Sequence, residues 1–414
     1  GQRPAGTENP RIPTGDVEVI VQELEVLNTS KTPPFSIDEE TREADELLRL
    51  KYRYLDMRRT RVRDNLILRH RVVRFIRDFL SNRDFVEVET AILTKSTPEG
   101  ARDYLVPSRV YPGEFYALPQ SPQVFKQLCM VGGLDRYFQI ARCMRDEDLR
   151  ADRQPEFTQL DLEMSFIEEI DIQDVVENVV SVLMEAFQGA APSKPFPRIT
   201  WQEAMDRFAT DKPDLRNPLE IVDLAEKAGS LGFSVYDKVL GAGGLVRGIK
   251  IPAGAALSRK EIDSLETVAK EAGAGGAAWC KVTEDGVTGP LARFLEGKTG
   301  AAFLGLLDAQ SGDLVVTIAD QARTAFPALD AIRRNAGELK GLVGEESKVV
   351  WVTDFPLFEE GQDGSWTPAH HPFTAPFRED VPALLEGKCE GIRSRAYDLV
   401  LDGVELGSGS IRVH

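Results

Sequence analysis

Two runs of alternating residues around a charged loop constrain this chain more than any other feature of its sequence. The first run sets apolar side chains against a mixed set, with Phe138, Ile140 and Met144 on one side and Gln139, Ala141, Cys143 and Arg145 on the other. The second run repeats the pattern, since Thr158, Leu160, Leu162, Met164 and Phe166 alternate with Phe157, Gln159, Asp161, Glu163 and Ser165. Because neighbouring residues of a strand point to opposite faces, the pattern predicts an antiparallel hairpin with one apolar face. The other face suits a flat, charged ligand, although alternation alone leaves open an ordinary polar surface.

The order of residues at the loop is more specific than the alternation. Arg145-Asp146-Glu147, a charged loop, and Arg153-Gln154-Pro155-Glu156-Phe157 resemble the second signature motif of class II aminoacyl-tRNA synthetases. The surrounding residues are similar to those of the bacterial-type aspartyl-tRNA synthetases. This resemblance extends over nearly all of the chain and implies an α+β fold, in which an antiparallel sheet flanked by helices carries an inserted α+β domain.

Net charge and composition limit the partners and the compartment. The formal charge of −17 would oppose nucleic-acid binding if it were spread evenly, but residues 46–77 hold eleven Lys or Arg against three acids. Those arginines indicate either a basic surface or the solvated side of a helix. No apolar run reaches the roughly 18 residues of a membrane helix, and no leader is present, so a cytoplasmic protein is expected. The four cysteines form no CxxC pair and give no zinc spacing.

The resemblance divides the chain into three parts. Residues 1–35 would be the tail of an OB-fold anticodon-binding domain with its hinge, residues 36–212 and 345–414 the catalytic domain, and residues 213–344 an insertion similar to the GAD domain. Within the insertion, Ser258 and Glu261 form a capping box that predicts a helix ending near Gly273. Strands are predicted at 245–251, 277–282 and 313–318, and a second helix from about Ala325.

A helix from Asp64 followed by a strand at 85–90 resembles the first class II motif, which implies a homodimer. Its apolar residues recur at helical spacing at Leu66, Val73, Ile76 and Leu80. The match departs from the family in two places, because Asp84 stands where a glycine is expected and Ala91 where a proline is expected.

The segment from Thr97 to Lys126 supplies the expected contacts to the amino acid. The loop 97–107 resembles the one that closes over aspartate, with Glu99 contacting it. Ser121 is then predicted to cap a helix that has Pro122 in its first turn and ends near Gly132. One face of this helix carries Gln123 and Lys126, and the packed face is predicted to consist of Val124, Phe125 and Leu128.

Near the end of the chain, a His pair and a hairpin complete the predicted site. His370 and His371 cannot easily bind one metal ion, since adjacent strand residues point apart, and the resemblance favours His370 as the one near the substrate. An Asp402-Gly403 turn predicts a hairpin that places Asp398 diagonally across from Glu405 on an exposed face. Ser408 replaces a glycine of the family pattern.

The resemblance implies that L-aspartate attacks the α-phosphate of ATP and that the aspartyl group then passes to the 3′ end of tRNA. The residues implied to bind aspartate are Glu99, Gln123, Lys126, Arg145, Asp161, His370 and Arg412. Those implied to bind ATP are Arg145, Asp146, Glu147, Gln154, Phe157 and Glu405. Asp398 and Glu405 would hold Mg²⁺, the expected cofactor, because oxygen ligands select a hard cation. Catalysis would depend on positioning and on cations such as Arg145 rather than on a nucleophilic side chain.

The expected macromolecular partner is tRNA(Asp), and charging of tRNA(Asn) as well is left open. The third class II motif is expected beyond His414, so the sequence is interpreted as a fragment of a longer chain. The alternative is a full polypeptide unable to activate its substrate normally. Two other functions remain as alternatives. One is a non-catalytic relative that binds amino acid, adenylate or tRNA, and the other is an ammonia-dependent enzyme similar to asparagine synthetase.

Overall fold

The computed structural model describes residues 1–38, 44–97, 99–148, 153–361 and 363–413. The part of the charged loop at 149–152, and His414, lie outside these residues. Two compact units are present, residues 1–74 and residues 75–414. No helix in the described parts is long and apolar enough to cross a membrane.

The elements are numbered in chain order. The α-helices are α1 (Glu46–Lys51), α2 (Arg53–Asp56), α3 (Thr60–Ser81), α4 (Gln123–Val131), α5 (Glu169–Gln188), α6 (Trp201–Phe208), α7 (Ala225–Ala228), α8 (Ser234–Gly241), α9 (Arg259–Glu271), α10 (Gly297–Leu306), α11 (Ala322–Leu339) and α12 (Val381–Leu385). The strands are β1 (Val86–Glu87), β2 (Leu105–Pro107), β3 (Phe115–Ala117), β4 (Arg136–Met144), β5 (Glu156–Met164), β6 (Arg198–Thr200), β7 (Ile221–Asp223), β8 (Leu245–Ile251), β9 (Ala278–Thr283), β10 (Gly286–Thr288), β11 (Leu314–Asp320), β12 (Val349–Thr353), β13 (Phe358–Glu360), β14 (Trp366–Pro368), β15 (Ala396–Leu401) and β16 (Val404–Ser410).

In the unit formed by residues 1–74, a buried carboxylate organises the short helices. Asp56 is fully buried, and its Oδ2 lies 2.6 Å from the Arg53 guanidinium. Arg49 and Arg59 approach its other oxygen at 3.9 and 3.8 Å. Some of the basic residues therefore neutralise an internal acid rather than forming a free surface.

The predicted central hairpin is confirmed in residues 75–414. β4 and β5 pair antiparallel with Arg136 opposite Met164 and Met144 opposite Glu156, and β1 joins β4 in parallel. The strand predicted at 85–90 is shorter, covering only Val86–Glu87. Helix α3 begins at Thr60, four residues before the predicted start. Of its four regularly spaced apolar residues, Ile76 and Leu80 are buried, whereas Leu66 is exposed.

The glycine position at the end of α3 has a physical explanation. Asp84 has a φ of 63°, in the left-handed region that glycine adopts without steric cost. Aspartate is among the residues that tolerate this conformation, since its short polar side chain can bond locally. The departure from the family pattern at Asp84 is therefore compatible with the same turn.

A four-stranded sheet, in the order β16-β15-β12-β6, carries the last hairpin. Ala396 and Val400 pack with Val350, Val352 and residues of α6 on one face. Trp351, Tyr397 and Leu399 pack towards α5 on the other. The buried Glu177 of α5 accepts a hydrogen bond of 3.0 Å from Trp351 Nε1, which fixes the helix on the sheet. The α+β class with antiparallel sheets and flanking helices is as predicted.

Residues 221–320 carry a five-stranded antiparallel sheet in the order β10-β9-β11-β8-β7. α9 and α11 cover one face, while α7, α8 and α10 cover the other. The Ser258–Glu261 capping box is present, and β8 has the predicted bounds. α11 begins at Ala322, three residues earlier than expected.

Candidate active site

An open cavity of about 700 Å³ lies between the loop that carries Glu99 and the segment that carries the two histidines. Its wall is formed by Ser96, Thr97, Glu99, Gly100, Ala101, Arg102, Asp103, Leu105, Pro368, His370, His371 and Pro372. The volume is in the range of pockets that hold small organic ligands. Arg412 and Asp146 adjoin this wall through hydrogen bonds with His371 and Arg102.

Helix α4 buries its polar pair and exposes its apolar side, which reverses part of the prediction. Gln123 and Lys126 are each 5% exposed, whereas Leu128 is 59% and Val124 42% exposed. The expectation that Val124, Phe125 and Leu128 form the packed side is therefore wrong. The helix covers a polar pocket, and its apolar side lines a separate groove.

The predicted cap of α4 is also wrong. Pro122 occupies the N-cap position, and no side chain caps the helix. The Ser121 hydroxyl instead donates a hydrogen bond of 2.8 Å to Glu99 Oε2. The Ser121 hydroxyl is thus held by the loop, and among the described residues its oxygen accepts no hydrogen bond from a helix N–H.

Lys126 lies between two carboxylates of β5. Its Nζ is 2.8 Å from Asp161 Oδ1 and 3.2 Å from Glu163 Oε2. Burial opposes the charge on Lys126, but the attraction of Asp161 and Glu163 outweighs it and raises the pKa of the lysine above its ordinary value. Glu163 was not among the predicted residues, although its alternation with Asp161 on β5 placed it on the same face.

Arg412 connects α4 to the segment after β16. Its guanidinium donates a hydrogen bond of 3.1 Å to Gln123 Oε1 and also bonds the Ser410 hydroxyl and His371 Nε2. The other ring nitrogen of His371 lies 3.2 Å from Thr374 Oγ1. Burial, and then the nearby Arg412, lower the pKa of His371 to about 3, so this ring is neutral at pH 7.

The loop bearing Glu99 is held by a residue that the sequence reasoning missed. The buried Gln120 donates to the carbonyl of Ala101 at 2.7 Å and to Asp103 Oδ1, and it accepts from the Ala101 amide at 3.1 Å. Glu99 itself accepts from Thr97 at 3.0 Å in addition to Ser121. The only sequence signal was the position of Gln120 directly before the polar helix.

Arg145 and Phe157 meet at the loop end of the central hairpin, where β4 leads into the charged loop and β5 begins. The Arg145 guanidinium carbon lies 5.1 Å from the centre of the Phe157 ring, a cation–π arrangement. Glu147 is paired with Arg153 at 3.2 Å, Asp146 accepts at its carbonyl from Arg102 at 3.1 Å, and Gln154 is exposed. Cys143, on the same face, is not a nucleophile, because burial raises the pKa of its thiol to about 12.

The two acids of the last hairpin differ in their exposure to solvent. Leu401 pairs with Val404 and Val400 with Glu405 as predicted, after which the register shifts and Asp398 lies opposite Ser408. Asp402 and Gly403 both have positive φ, as this tight turn requires. Asp398 is only 4% exposed because it shares a face with the core residues Ala396 and Val400. The expectation that both acids lie on an exposed face is therefore wrong for Asp398, whereas Glu405 is exposed.

A lysine outside the predicted set accompanies these acids. Lys212 Nζ lies 2.8 Å from Glu405 Oε2. Burial, then repulsion from Glu405 and Asp211, raise the pKa of Asp398 well above its usual range, and Lys212 opposes this shift. His370 lies near the same acids. Burial lowers the pKa of His370, and the negative charges of Glu405 and Asp211 partly offset this lowering.

The two histidines face different partners. His371 contacts Arg412, while His370 packs edge-on against Phe355 at 4.8 Å, and its Nδ1 has no hydrogen-bond partner among the described residues. The structure therefore groups Arg412 and Gln123 with Lys126 and its two carboxylate partners. A second group consists of Asp398, Glu405 and Lys212. This arrangement can bind a small anion with an ammonium group beside a cation-bearing polyphosphate.

The sequence profile described as "tRNA synthetases class II (D, K and N)" matches residues 45–414. An "Aspartate--tRNA(Asp/Asn) ligase" of Syntrophomonas wolfei is 52% identical over the whole of this chain and 70% of its own length. An "Aspartate--tRNA ligase" of Geobacillus kaustophilus is 51% identical over 98% of this chain and 69% of its own. The chain thus spans about 70% of the length of these relatives.

One solved structure, of asparaginyl-tRNA synthetase from Entamoeba histolytica in complex with asparaginyl-adenylate, aligns with a TM-score of 0.41 and 21% identity. It covers 49% of this chain and 48% of its own, a likeness too distant to support an argument about the site.

Proposed function

The chain belongs to the class II tRNA synthetases of the D, K and N group, and from this premise we propose that it is an aspartate–tRNA ligase. It activates L-aspartate with ATP to aspartyl-adenylate and transfers the aspartyl group to the 3′ end of tRNA. The observation that carries this function is the joining of Arg412 to Gln123 beside Lys126, which concentrates two cations and an amide in one small, buried place.

The side-chain carboxylate of aspartate fits the cations of this pocket. Arg412 offers a planar fork of donors, and Lys126 offers a point charge that Asp161 and Glu163 already hold in place. Asparagine would offer Arg412 no negative charge in this partly buried place, which can give discrimination on the order of 10⁴. Asp161, Gln123 and Glu99 are proposed to hold the ammonium group, and both His371 and His370 border the same cavity.

ATP is proposed to lie at the loop end of the central hairpin. Phe157 would stack on adenine with Gln154 nearby, and Arg145 would leave the Phe157 ring to bridge the aspartate carboxylate and the α-phosphate. Asp146, Glu147 and Glu405 complete the proposed contacts. Because the reaction brings two anions together, positioned cations stabilise its transition state without a covalent intermediate on the protein.

Class II synthetases of this kind generally use Mg²⁺ with ATP, and the last hairpin has suitable ligands. Asp398 Oδ1 is buried without a hydrogen-bond partner in the described parts of the chain, and Glu405 is close to it. These oxygens fit a hard cation that takes its other ligands from phosphates and water. When bound, Mg²⁺ would neutralise charge on the phosphates. Asp398 and Glu405 are therefore proposed as its protein ligands.

The domain division and the assembly are also proposals. We assign residues 1–35 to the tail of an anticodon-binding domain, 36–212 with 345–414 to the catalytic domain, and 213–344 to a GAD-like insertion. A homodimer is supported by the apolar groove of about 430 Å³ beside α4, where Leu128 is exposed. The proposed partners are tRNA(Asp) and, following the dual specificity in the name of one relative, tRNA(Asn), in the cytoplasm.

Aminoacylation of purified tRNA(Asp) and tRNA(Asn) with labelled aspartate tests this function. We expect aspartate, but not asparagine, to be esterified to tRNA(Asp), and charging of tRNA(Asn) defines the tRNA range. Binding of adenylate without any charging would instead indicate a non-catalytic relative. Release of asparagine with ammonia and no need for tRNA would indicate an asparagine synthetase-like enzyme.

A further inference from the structure

Lys212 lies at the acidic pocket although it belongs to the segment leading from α6 into the insertion. Its ammonium group is 2.8 Å from Glu405 Oε2, and both side chains are about one-third to two-fifths exposed. The same ammonium group acts at longer range on Asp398 and Asp211. Glu405 is therefore the carboxylate that pairs directly with Lys212.

The backbone around Lys212 is fixed by contacts with the turn of the last hairpin. Arg216 pairs with Asp214 at 2.8 Å and with Asp402 at 3.4 Å. Gly403, in that turn, would bring an added Cβ to 3.0 Å from the Cβ of Asp214. This close approach requires glycine, so the segment and the turn fit together along their backbones.

A buried arginine of α11 ties the same segment from the other side. Arg333 is fully buried and donates to the carbonyls of Asp214 at 2.9 Å, Asn217 at 2.6 Å and Leu219 at 2.6 Å. The position of Lys212 is thus set by the base of the insertion and by the hairpin. It is not a freely rotating surface lysine on an unconstrained loop.

The negative charges around Asp398 favour a cation beside this carboxylate. Burial disfavours the ionised form of Asp398, and Glu405 and Asp211 repel it further. Its Oδ1 has no hydrogen-bond partner within the described ranges, so no internal donor compensates that atom. Lys212 is the basic group that directly pairs with Glu405 beside it.

We propose that Lys212 is a positioning residue that occupies the cation position at Glu405 while no magnesium–ATP is bound, and that a divalent cation displaces it. The inference rests on the proposed function, because it assumes that Glu405 and Asp398 are the metal ligands. Lys212 competes with the metal, so its loss strengthens metal binding.

A titration of the protein with Mn²⁺ in the absence of ATP tests the competition between Lys212 and the metal ion. Electron paramagnetic resonance measures the concentration of free Mn²⁺. Removal of a partly exposed ion pair worth about 0.2–1 kcal/mol should tighten Mn²⁺ binding by roughly 1.4-fold to fivefold in Lys212→Met. Lys212→Arg keeps the charge and should leave the Mn²⁺ affinity at the wild-type value. Lys250→Met, which removes a lysine paired with Asp308 in the insertion, is the matched control and should leave the affinity unchanged.

Unchanged or weaker Mn²⁺ binding in Lys212→Met would overturn the proposal, as would equal tightening in Lys212→Arg. Glu405→Gln should weaken Mn²⁺ binding in the same assay. If it does not, while the wild type still charges tRNA with aspartate, the metal-ligand assignment fails and the proposed function stands. If the wild type binds Mn²⁺ but charges no tRNA, the proposed function fails independently of Lys212.

Discussion

The Arg412 guanidinium donates a hydrogen bond of 3.1 Å to Gln123 Oε1, joining residues 289 positions apart in the chain. Gln123 begins α4, and Arg412 follows the last strand, with the whole insertion between them. The pocket proposed for aspartate therefore exists only when both ends of the catalytic region are folded against each other.

Arg412→Lys should reduce kcat/KM for aspartate by about a hundredfold. Lysine keeps the charge but loses the planar fork that bonds Gln123 and a carboxylate together, and a hydrogen bond to a charged group is worth about 1.5–3 kcal/mol. The measurement is aspartate-dependent ATP–pyrophosphate exchange. Arg393→Lys is the control, since Arg393 pairs with Asp380 away from the cavity, and it should behave as the wild type. Equal effects of both substitutions would argue against a specific role for Arg412.

Gln120→Ala should raise the KM for aspartate by about tenfold and leave kcat nearly unchanged. The substitution removes the bonds that hold Ala101 and Asp103, so part of the binding energy is spent on ordering the loop that carries Glu99. Steady-state exchange kinetics and limited proteolysis of residues 97–107 measure this effect, with faster cleavage expected in the variant. Gln202→Ala, on helix α6, provides the control. A fall in kcat with an unchanged KM would contradict the proposed role.

Phe157→Leu should weaken ATP binding more than aspartate binding. Stacking of a base on an aromatic ring is worth about 1–3 kcal/mol, or roughly fivefold to hundredfold in the KM for ATP. Phe157→Tyr keeps the ring and should remain near the wild-type value. If Phe157→Leu changes the KM for aspartate alone, adenine does not stack on this residue.

Asp398→Asn should stabilise the fold at neutral pH while it weakens Mn²⁺ binding. Burial raises the pKa of Asp398 above its ordinary value of 3.8, so the folded form binds the proton more tightly than the unfolded chain does. The free energy of unfolding therefore falls as the pH rises through that raised pKa, and above it the ionised carboxylate is a constant cost. Asparagine removes the charge and should add about 1–2 kcal/mol at pH 8, a gain that shrinks as the pH is lowered. Urea unfolding at pH 8 and at a lower pH measures this gain in the free energy of unfolding. A variant less stable than the wild type at pH 8 would contradict this account.

Local patterns predicted the hairpins and the helices of the insertion closely. Period-two alternation and the Asp402-Gly403 turn determined the pairing of β4 with β5 and the start of the last hairpin, because neighbouring residues decide both features. The Ser258–Glu261 capping box is equally local and was found as predicted.

The errors arose where distant segments decide the outcome. Helical spacing separates two faces of α4, but it cannot say that the face of Gln123 and Lys126 is the buried one, since that depends on Asp161 and Arg412. The burial of Asp398 likewise depends on the core of the four-stranded sheet. No neighbouring residue in the sequence indicated that Lys212 belongs to the site, because its partner Glu405 lies almost two hundred residues further along the chain.

Aspartate-dependent ATP–pyrophosphate exchange by Arg145→Ala tests the central claim most directly, namely that positioned cations join aspartate to ATP in this cavity. Loss of one preorganised donor to the transition state should lower the exchange rate by roughly 10²–10³, while Mn²⁺ binding and the free energy of unfolding stay close to the wild type. Normal exchange in Arg145→Ala would contradict the account, because no other residue was assigned the bridge between the carboxylate and the α-phosphate.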